Sequence, residues 1–420
     1  MYLSKRAINI KESITLKLNE KAVGLAEKGN TIYNLTAGQL PFRPMDDFVK
    51  SIEKELNFLK SYQYAPVAGF ADLRKKLKAY VENNRSISFN GHGVDFDCVI
   101  SNGAKHSIYN IIGSITDPGD EIIVLAPYWI SYPEMVMCWG GIPVVVESNK
   151  HNNFTPTMDD IRKKITSKTK AILVNSPNNP AGIHYSNQWM NDFAKLLNDF
   201  PNLLVISDEI YYELSYFDPK PTYFYQYDSK LLKRTMIVEG ISKSFAATGL
   251  RIGFCITTKE IADAISKLQA QTTSSANSLI QRALVSFDFA KMPEFLNPVR
   301  NHLKINAQSI RRIFSEMGLS HIWYQTTSAF YYLVDFSSAP VFKRYSSSSS
   351  SASASASTSN GDECNDYCIQ ICSDLLEKHG IAMVPGADFG IHNSGRLSLV
   401  LEEEIFTRAM KILANFLRGE

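Results

Sequence analysis

CVIS (98–101), IIVLA (122–126), PVVVE (143–147), AILVN (171–175), LLVIS (203–207), MIVEG (236–240) and GFCIT (253–257) are short apolar runs spaced along the middle of the chain. Loops rich in Gly, Pro, Asn and Asp, and longer segments of helical period, separate them. Most of the runs are continuously apolar, which marks strands buried on both faces, so the pattern predicts a mostly parallel sheet flanked by helices, an α/β fold. Beyond about Phe287 the rhythm changes to a long helical stretch (Phe295 to Met317), a strand-like AFYYLVDF (329–336), a helix before Gly380 and a closing helix from Glu402. That reads as a smaller α+β lobe.

Composition limits the partners. In 420 residues, 44 basic against 42 acidic side chains leave a formal net charge of +2, which argues against a nucleic-acid binder. With 45% hydrophobic and 20% charged residues, the composition is that of a soluble globular protein. The opening MYLSKRAINIKESITLKLNEKA lacks an apolar core and carries Lys and Glu throughout, so no secretory signal is expected, and no run is long enough to suggest a membrane span. Six cysteines without a CxxC pair predict a reduced, cytoplasmic protein. Cys364, Cys368 and Cys372 share a helical face, but no His joins them, so a small apolar helix face is expected and no metal site. Tyr345 to Asn360 is a Ser/Ala tract without a residue to anchor a core, expected as a solvated insertion.

Several polar segments fall at the carboxyl ends of the runs, where α/β sheets place ligands. Lys243 lies in ISKSFAATGLRIG (241–253), and by itself reads as a surface charge. Asp208 ends LLVISD, as a fixed counter-charge or as an N-cap for the residues after it. Asn175-Ser-Pro-Asn-Asn179-Pro180-Ala-Gly182 is dense in turn formers. Ser101-Asn-Gly103-Ala104-Lys105-His106 joins a run to a helical segment, where backbone N–H groups and the helix dipole favour an anion. Trp129, taken alone, reads as a core aromatic.

In this order the motifs resemble those of the class I aminotransferases, pyridoxal-phosphate (PLP) enzymes of fold type I, and among them the bacterial-type aspartate aminotransferase subgroup. The likeness runs from Leu35-Thr-Ala-Gly38 to Arg396-Leu-Ser-Leu, the Ser/Ala tract excepted. It implies an N-terminal arm with part of a small domain over 1–43, a large PLP-binding domain over 44–287 and a small domain over 288–420 carrying the insertion at 345–360. Lys243 is then similar to the lysine that carries PLP covalently, with Ser242 beside it, and Asp208 to the carboxylate facing the pyridine nitrogen. Asn179 and Tyr211 resemble the partners of the ring hydroxyl, and Trp129 the aromatic stacked on the ring. Gly103, Ala104 and Arg251 match phosphate-binding positions. Tyr64, in Tyr62-Gln-Tyr-Ala-Pro-Val-Ala-Gly69, matches the tyrosine that reaches the phosphate of a neighbouring subunit, which implies a homodimer with shared sites. Arg396 resembles the clamp for the substrate α-carboxylate, with Gly38 in the same pocket, and Lys105 the group that meets a distal carboxylate.

These residue types suit the chemistry. A protonated ring nitrogen needs a buried carboxylate, a lysine can be both the covalent anchor and the proton carrier, and the fork of an arginine fits carboxylate and phosphate. The resemblance therefore implies a ping-pong transfer of an amino group from an amino acid, aspartate above others, to a 2-oxo acid such as 2-oxoglutarate. The chain departs from the subgroup at Gln39, Leu40 and Leu250, which spare the cofactor positions and concern substrate range, and at Ser275 and Ala276 in a cross-subunit segment. An aromatic or kynurenine-type aminotransferase is the alternative. A PLP-dependent C–S lyase or decarboxylase, and a non-catalytic PLP sensor, are further ones.

Overall fold

The computed structural model describes residues 2–10, 14–348 and 366–420. The strands in chain order are β1 (Tyr33–Asn34), β2 (Phe96–Ser101), β3 (Glu121–Leu125), β4 (Ile142–Val146), β5 (Thr169–Asn175), β6 (Leu204–Asp208) and β7 (Thr235–Gly240). They continue with β8 (Gly253–Thr258), β9 (Tyr331–Asp335), β10 (Ile381–Ala382), β11 (Val384–Pro385) and β12 (Ser394–Ser398). The central sheet has the order β2-β8-β7-β6-β5-β3-β4. β8 pairs antiparallel with both β2 and β7, and the remaining neighbours pair parallel. The carboxyl ends of β2, β3, β5, β6 and β7 therefore share one edge with the amino end of β8.

Uninterrupted apolar runs become strands here because successive side chains enter different cores. Ile123, Ile172 and Val174 point into one buried cluster, while Ile122, Val124, Ala171 and Leu173 point into a second cluster on the opposite face. Helices cover both sides. Ser186 caps the helix Asn187–Asp199 by accepting from the Trp189 N–H, and Trp189, Met190, Phe193 and Leu197 recur at helical spacing on its buried face. The run PVVVE differs from its expectation. β4 pairs only with β3, at the sheet edge, so Ile142 is 45% exposed and one side of the strand is open.

A second layer of structure follows residue 287. The long helix Met292–Glu316 packs with the closing helix Glu403–Arg418, and β9, β12 and β11 form a small antiparallel sheet beside them. β1 pairs with β10, which joins the N-terminal segment to this layer. One stretch departs from its reading. Tyr345, assigned to the solvated tract, is buried in the helix Phe342–Ser348, and its hydroxyl donates to Asp374 Oδ2 at 2.7 Å. A large aromatic body next to an apolar core is drawn in whatever polar sequence follows it. The tract from 349 onward lies outside the described residues, as does Cys364. Cys368 and Cys372 are buried one turn apart on the helix Cys368–His379. Among the described residues no helix is long and apolar enough to cross a membrane, and no cluster of three or more His, Cys, Asp or Glu could hold a metal.

Candidate active site

A cleft of about 790 Å³ opens at the shared strand edge. Asp208, Asn179, Tyr211, Trp129, Ala104, Lys105, Ser242, Lys243, Arg251, Gly38 and Arg396, all singled out in the sequence, line it. They come from segments up to 358 residues apart in the chain, Gly38 to Arg396; the central sheet's order gathers most of them at its edge, while Gly38 and Arg396 reach the cleft from outside that sheet.

Asp208 ends β6 and is 3% exposed. Its Oδ1 accepts the Ile210 N–H at 3.2 Å and its Oδ2 the Tyr132 hydroxyl at 2.5 Å. No α-helix starts there; only a short 3-10 turn follows at Tyr212–Leu214, so helix capping does not account for this carboxylate. Burial pushes its pKa up to about 6, against the pull of the Tyr132 and Ile210 hydrogen bonds. Tyr132 was not picked out in the sequence. It stands three residues after Trp129, at the start of the helix Ser131–Cys138, and that spacing puts both rings on one side of the turn, edge to face at 5.4 Å.

Lys243 follows β7 in the short helix Ile241–Ser244, next to the buried Ser242, and donates from Nζ to the Gly38 carbonyl at 2.5 Å. Desolvation, with the nearby charges of Arg396 and Arg251, lowers its pKa to about 8 although Asp208 works the other way. The amine is thus closer to its reactive neutral form than a surface lysine.

Gly103 precedes the helix Ala104–Ile115 at φ +86° and places its N-terminus in the cleft. The positive φ favours glycine there, and a Cβ on Gly103 would come within 2.5 Å of Arg251 Nη2 and oblige the guanidinium to shift. Gly253, the first residue of β8, lies so close to Ala104 that a side chain there would strike its backbone. Arg251 spans the same corner, donating to the carbonyls of Thr248 at 2.9 Å and Asn102 at 3.2 Å. Helix N-terminus and guanidinium together form a cradle for an anion. Lys105, in that first helical turn, holds Nζ 4.7 Å above the Trp129 ring.

The opposite wall comes from the small layer. Arg396, on β12, is 4% exposed and donates to Asn179 Oδ1 and to the Thr36 carbonyl, each at 3.0 Å. Its Nε is buried with no hydrogen-bond partner among the described residues, an orphan donor of the kind an anionic ligand satisfies. Asn179 is set by Asn175, which accepts its N–H at 2.9 Å and donates to the Asp208 carbonyl at 3.0 Å. Asn19 and Thr36, from the N-terminal segment, also line the cleft and are hydrogen-bonded at 3.1 Å. Tyr331 lies beneath Arg396, 4.5 Å from ring centre to Cζ. Asn19 and Tyr331 carry no local sequence signal, because each matters through partners distant in the chain, whereas Asn175 opens the turn-forming segment already noted.

Tyr64 is not in the cleft. It is 92% exposed, at the end of a surface stretch that also exposes Leu59 and Tyr62. Of the substituted positions, Gln39 lines the cleft and accepts from Thr248 at 3.0 Å, whereas Leu40 is buried in the core.

The chain is similar over its whole length to characterised proteins. It is 31% identical to an aspartate/prephenate aminotransferase of Thermus thermophilus over 99% of this chain and 98% of that protein. It is 30% identical to an aspartate aminotransferase of Thermotoga maritima, over 99% of this chain and 100% of the other. A solved structure of the Thermus thermophilus aspartate aminotransferase with maleate superposes with a TM-score of 0.84 at 30% identity, over 99% of both chains. Residues 30–413 match the model of the class I and II aminotransferases, and a chain with this sheet, this cleft and this match belongs to that family of PLP-dependent enzymes of fold type I.

Proposed function

We propose that this aminotransferase takes aspartate as amino donor and 2-oxoglutarate as acceptor, in two half-reactions at the one cleft. The observation that carries the reading is a pair of cations in that cleft: Arg396, with an unsatisfied buried Nε, and Lys105, over Trp129. A dicarboxylic substrate has one carboxylate for each.

PLP, when bound, supplies the sink for electrons released at the substrate Cα. The residues fit that group. Asp208 faces the cleft as a buried carboxylate that can hold a ring nitrogen cationic, and Tyr132 keeps one of its oxygens oriented. Asn179 and Tyr211 are the donors for a ring hydroxyl, and Trp129 offers a flat apolar face. Gly103, Ala104 and Arg251 form the cradle for the phosphate. Arg396 orients the substrate by its α-carboxylate, which turns Cα–H toward Lys243. Lys243 Nζ, as the neutral amine, would take the proton from the substrate Cα and hand it to the cofactor carbon C4′.

Tyr64 belongs, on this reading, to the cleft of a second copy in a homodimer. The exposed apolar stretch from Leu56 to Tyr64 supports this, since a patch of Leu59, Tyr62 and Tyr64 side chains favours burial against a partner. A cytoplasmic site of action is in keeping with the free thiols of Cys98, Cys138, Cys255, Cys368 and Cys372.

Incubation of the purified enzyme with aspartate and 2-oxoglutarate tests the proposal. Formation of oxaloacetate and glutamate, with a change in cofactor absorbance on adding aspartate alone, is the expected result. Absence of both rejects it. The relatives named for prephenate as well as aspartate make prephenate the first acceptor to add to the panel, and aromatic amino acids the first alternative donors.

A further inference from the structure

Tyr331 touches both the carboxylate wall and the ring-hydroxyl wall of the cleft, beside Asn179, whose Oδ1 accepts from Arg396 directly. Its hydroxyl lies 3.3 Å from that of Tyr211, and its ring lies under the Arg396 guanidinium, with Cζ 4.5 Å from the ring centre. It is 1% exposed. Two attachments hold it: β9 pairs with β12, the strand of Arg396, and the Tyr331 backbone carbonyl abuts Gly182, where any Cβ would collide with it. The Tyr331 backbone is thus held between β12 and the turn at Gly182.

Direction follows from proton counting. A neutral tyrosine hydroxyl has one proton to donate. If Tyr211 gives its proton to the ring oxygen of the cofactor, the 3.3 Å contact must be Tyr331 donating to Tyr211. A guanidinium over the Tyr331 ring draws charge from it and makes its hydroxyl a stronger donor, and a hydrogen bond received by Tyr211 strengthens the one it gives.

We propose that Tyr331 is a positioning residue that relays the charge of Arg396 through Tyr211 to the ring oxygen, coupling carboxylate recognition to the protonation of the cofactor. The proposal rests on the aminotransferase reading. The titratable groups facing the hydroxyl pair are Asp208 from the end of β6, Tyr132 from the helix Ser131–Cys138, Lys243, whose Nζ is 5.7 Å from the Tyr211 ring centre, and Arg396 from β12. None of them is altered by exchanging Tyr331 for Phe, which keeps the ring under Arg396 and removes only the hydroxyl.

The test is a pH titration of the visible absorbance of the PLP-loaded enzyme, wild type and Y331F, together with the PLP dissociation constant of each apoenzyme. A donor to the anionic ring oxygen favours the deprotonated form, so weakening it is expected to raise the midpoint by about half a pH unit. An unchanged midpoint in Y331F overturns the relay. The ring's contribution is read with succinate, a dicarboxylate that carries no amine to transfer. Y331F is expected to bind it within about threefold of wild type and Y331L about tenfold more weakly. Equal binding by all three overturns that half of the proposal. Should wild type itself fail to transfer an amino group from any donor, the aminotransferase reading fails instead, and the absorbance comparison still decides the relay.

Discussion

Asp208 and Tyr64 were singled out by the same resemblance, yet the fold treats them in opposite ways. Asp208 is 3% exposed and held by two hydrogen bonds at the end of a central strand, whereas Tyr64 is 92% exposed on a surface stretch of large apolar side chains. The contrast teaches where one chain suffices. Everything at the shared strand edge is positioned by the sheet of a single chain, because register and strand order fix where each run ends. Among the described residues Tyr64 is exposed away from the cleft, so on the proposed reading its contribution depends on a second copy.

The interior side of this contrast predicts the largest effect. On the proposed reading Lys243→Ala is expected to lower kcat by about 10⁴-fold, since it would remove both the covalent anchor and the Cα proton carrier. A single-turnover reaction with aspartate measures it, and mass spectrometry after borohydride reduction should no longer find PLP on the chain. Activity within tenfold of wild type would place the chemistry elsewhere.

Asp208→Asn keeps the shape and removes the charge, with an expected loss of about 10²- to 10³-fold in kcat. Its pH counterpart can be read without mutation. With a pKa near 6 in the buried site, Asp208 becomes neutral as pH falls through 6, so PLP affinity is expected to weaken below that value. Equilibrium dialysis between pH 5 and pH 8 checks this.

Lys243 gives the next effect, about tenfold. Its pKa is lowered to about 8, so the neutral amine falls about tenfold per unit below pH 8 and changes little above pH 9. The rate at which apoenzyme reacts with PLP should follow that curve. A rate still rising steeply between pH 9 and pH 10 would show an ordinary lysine, and the burial argument would not hold.

Tyr64→Ala should have the smallest effect, a loss of PLP affinity of about tenfold, the value of one hydrogen bond to a charged group. It also sharpens the comparison most. Mixed after dissociation, Y64A and K243A chains would form heterodimers in which one cleft pairs an intact Lys243 with an intact Tyr64. Recovery of activity above that of either variant is expected. No recovery, with heterodimers present, would place Tyr64 outside the partner's site.

Much of this was legible from residue order. The apolar runs became the seven strands of the sheet because a doubly buried strand tolerates no polar face, and the polar segments after them marked the ligand edge. Lys243, Asp208 and Arg251 could be picked out because their motifs are local. Tyr132 and Tyr331 could not, since a hydroxyl's partner at 2.5 or 3.3 Å is a property of packing and leaves no trace in nearby residues. PVVVE misled because the same apolar run serves an edge strand, and Tyr345 because a polar tract hides one anchoring aromatic at its start.

By itself the amino-acid sequence determined the layered α/β fold, through the period of its apolar residues, and the identity of the charged groups at the cleft, through their order in short motifs. Only the tertiary structure decided how those groups act on one another. Burial and the distances between side chains from remote segments raise the pKa of Asp208, lower that of Lys243 and stack Arg396 on Tyr331. Such effects depend on separation in space and on excluded water, and neither is written in the spacing of residues along a chain.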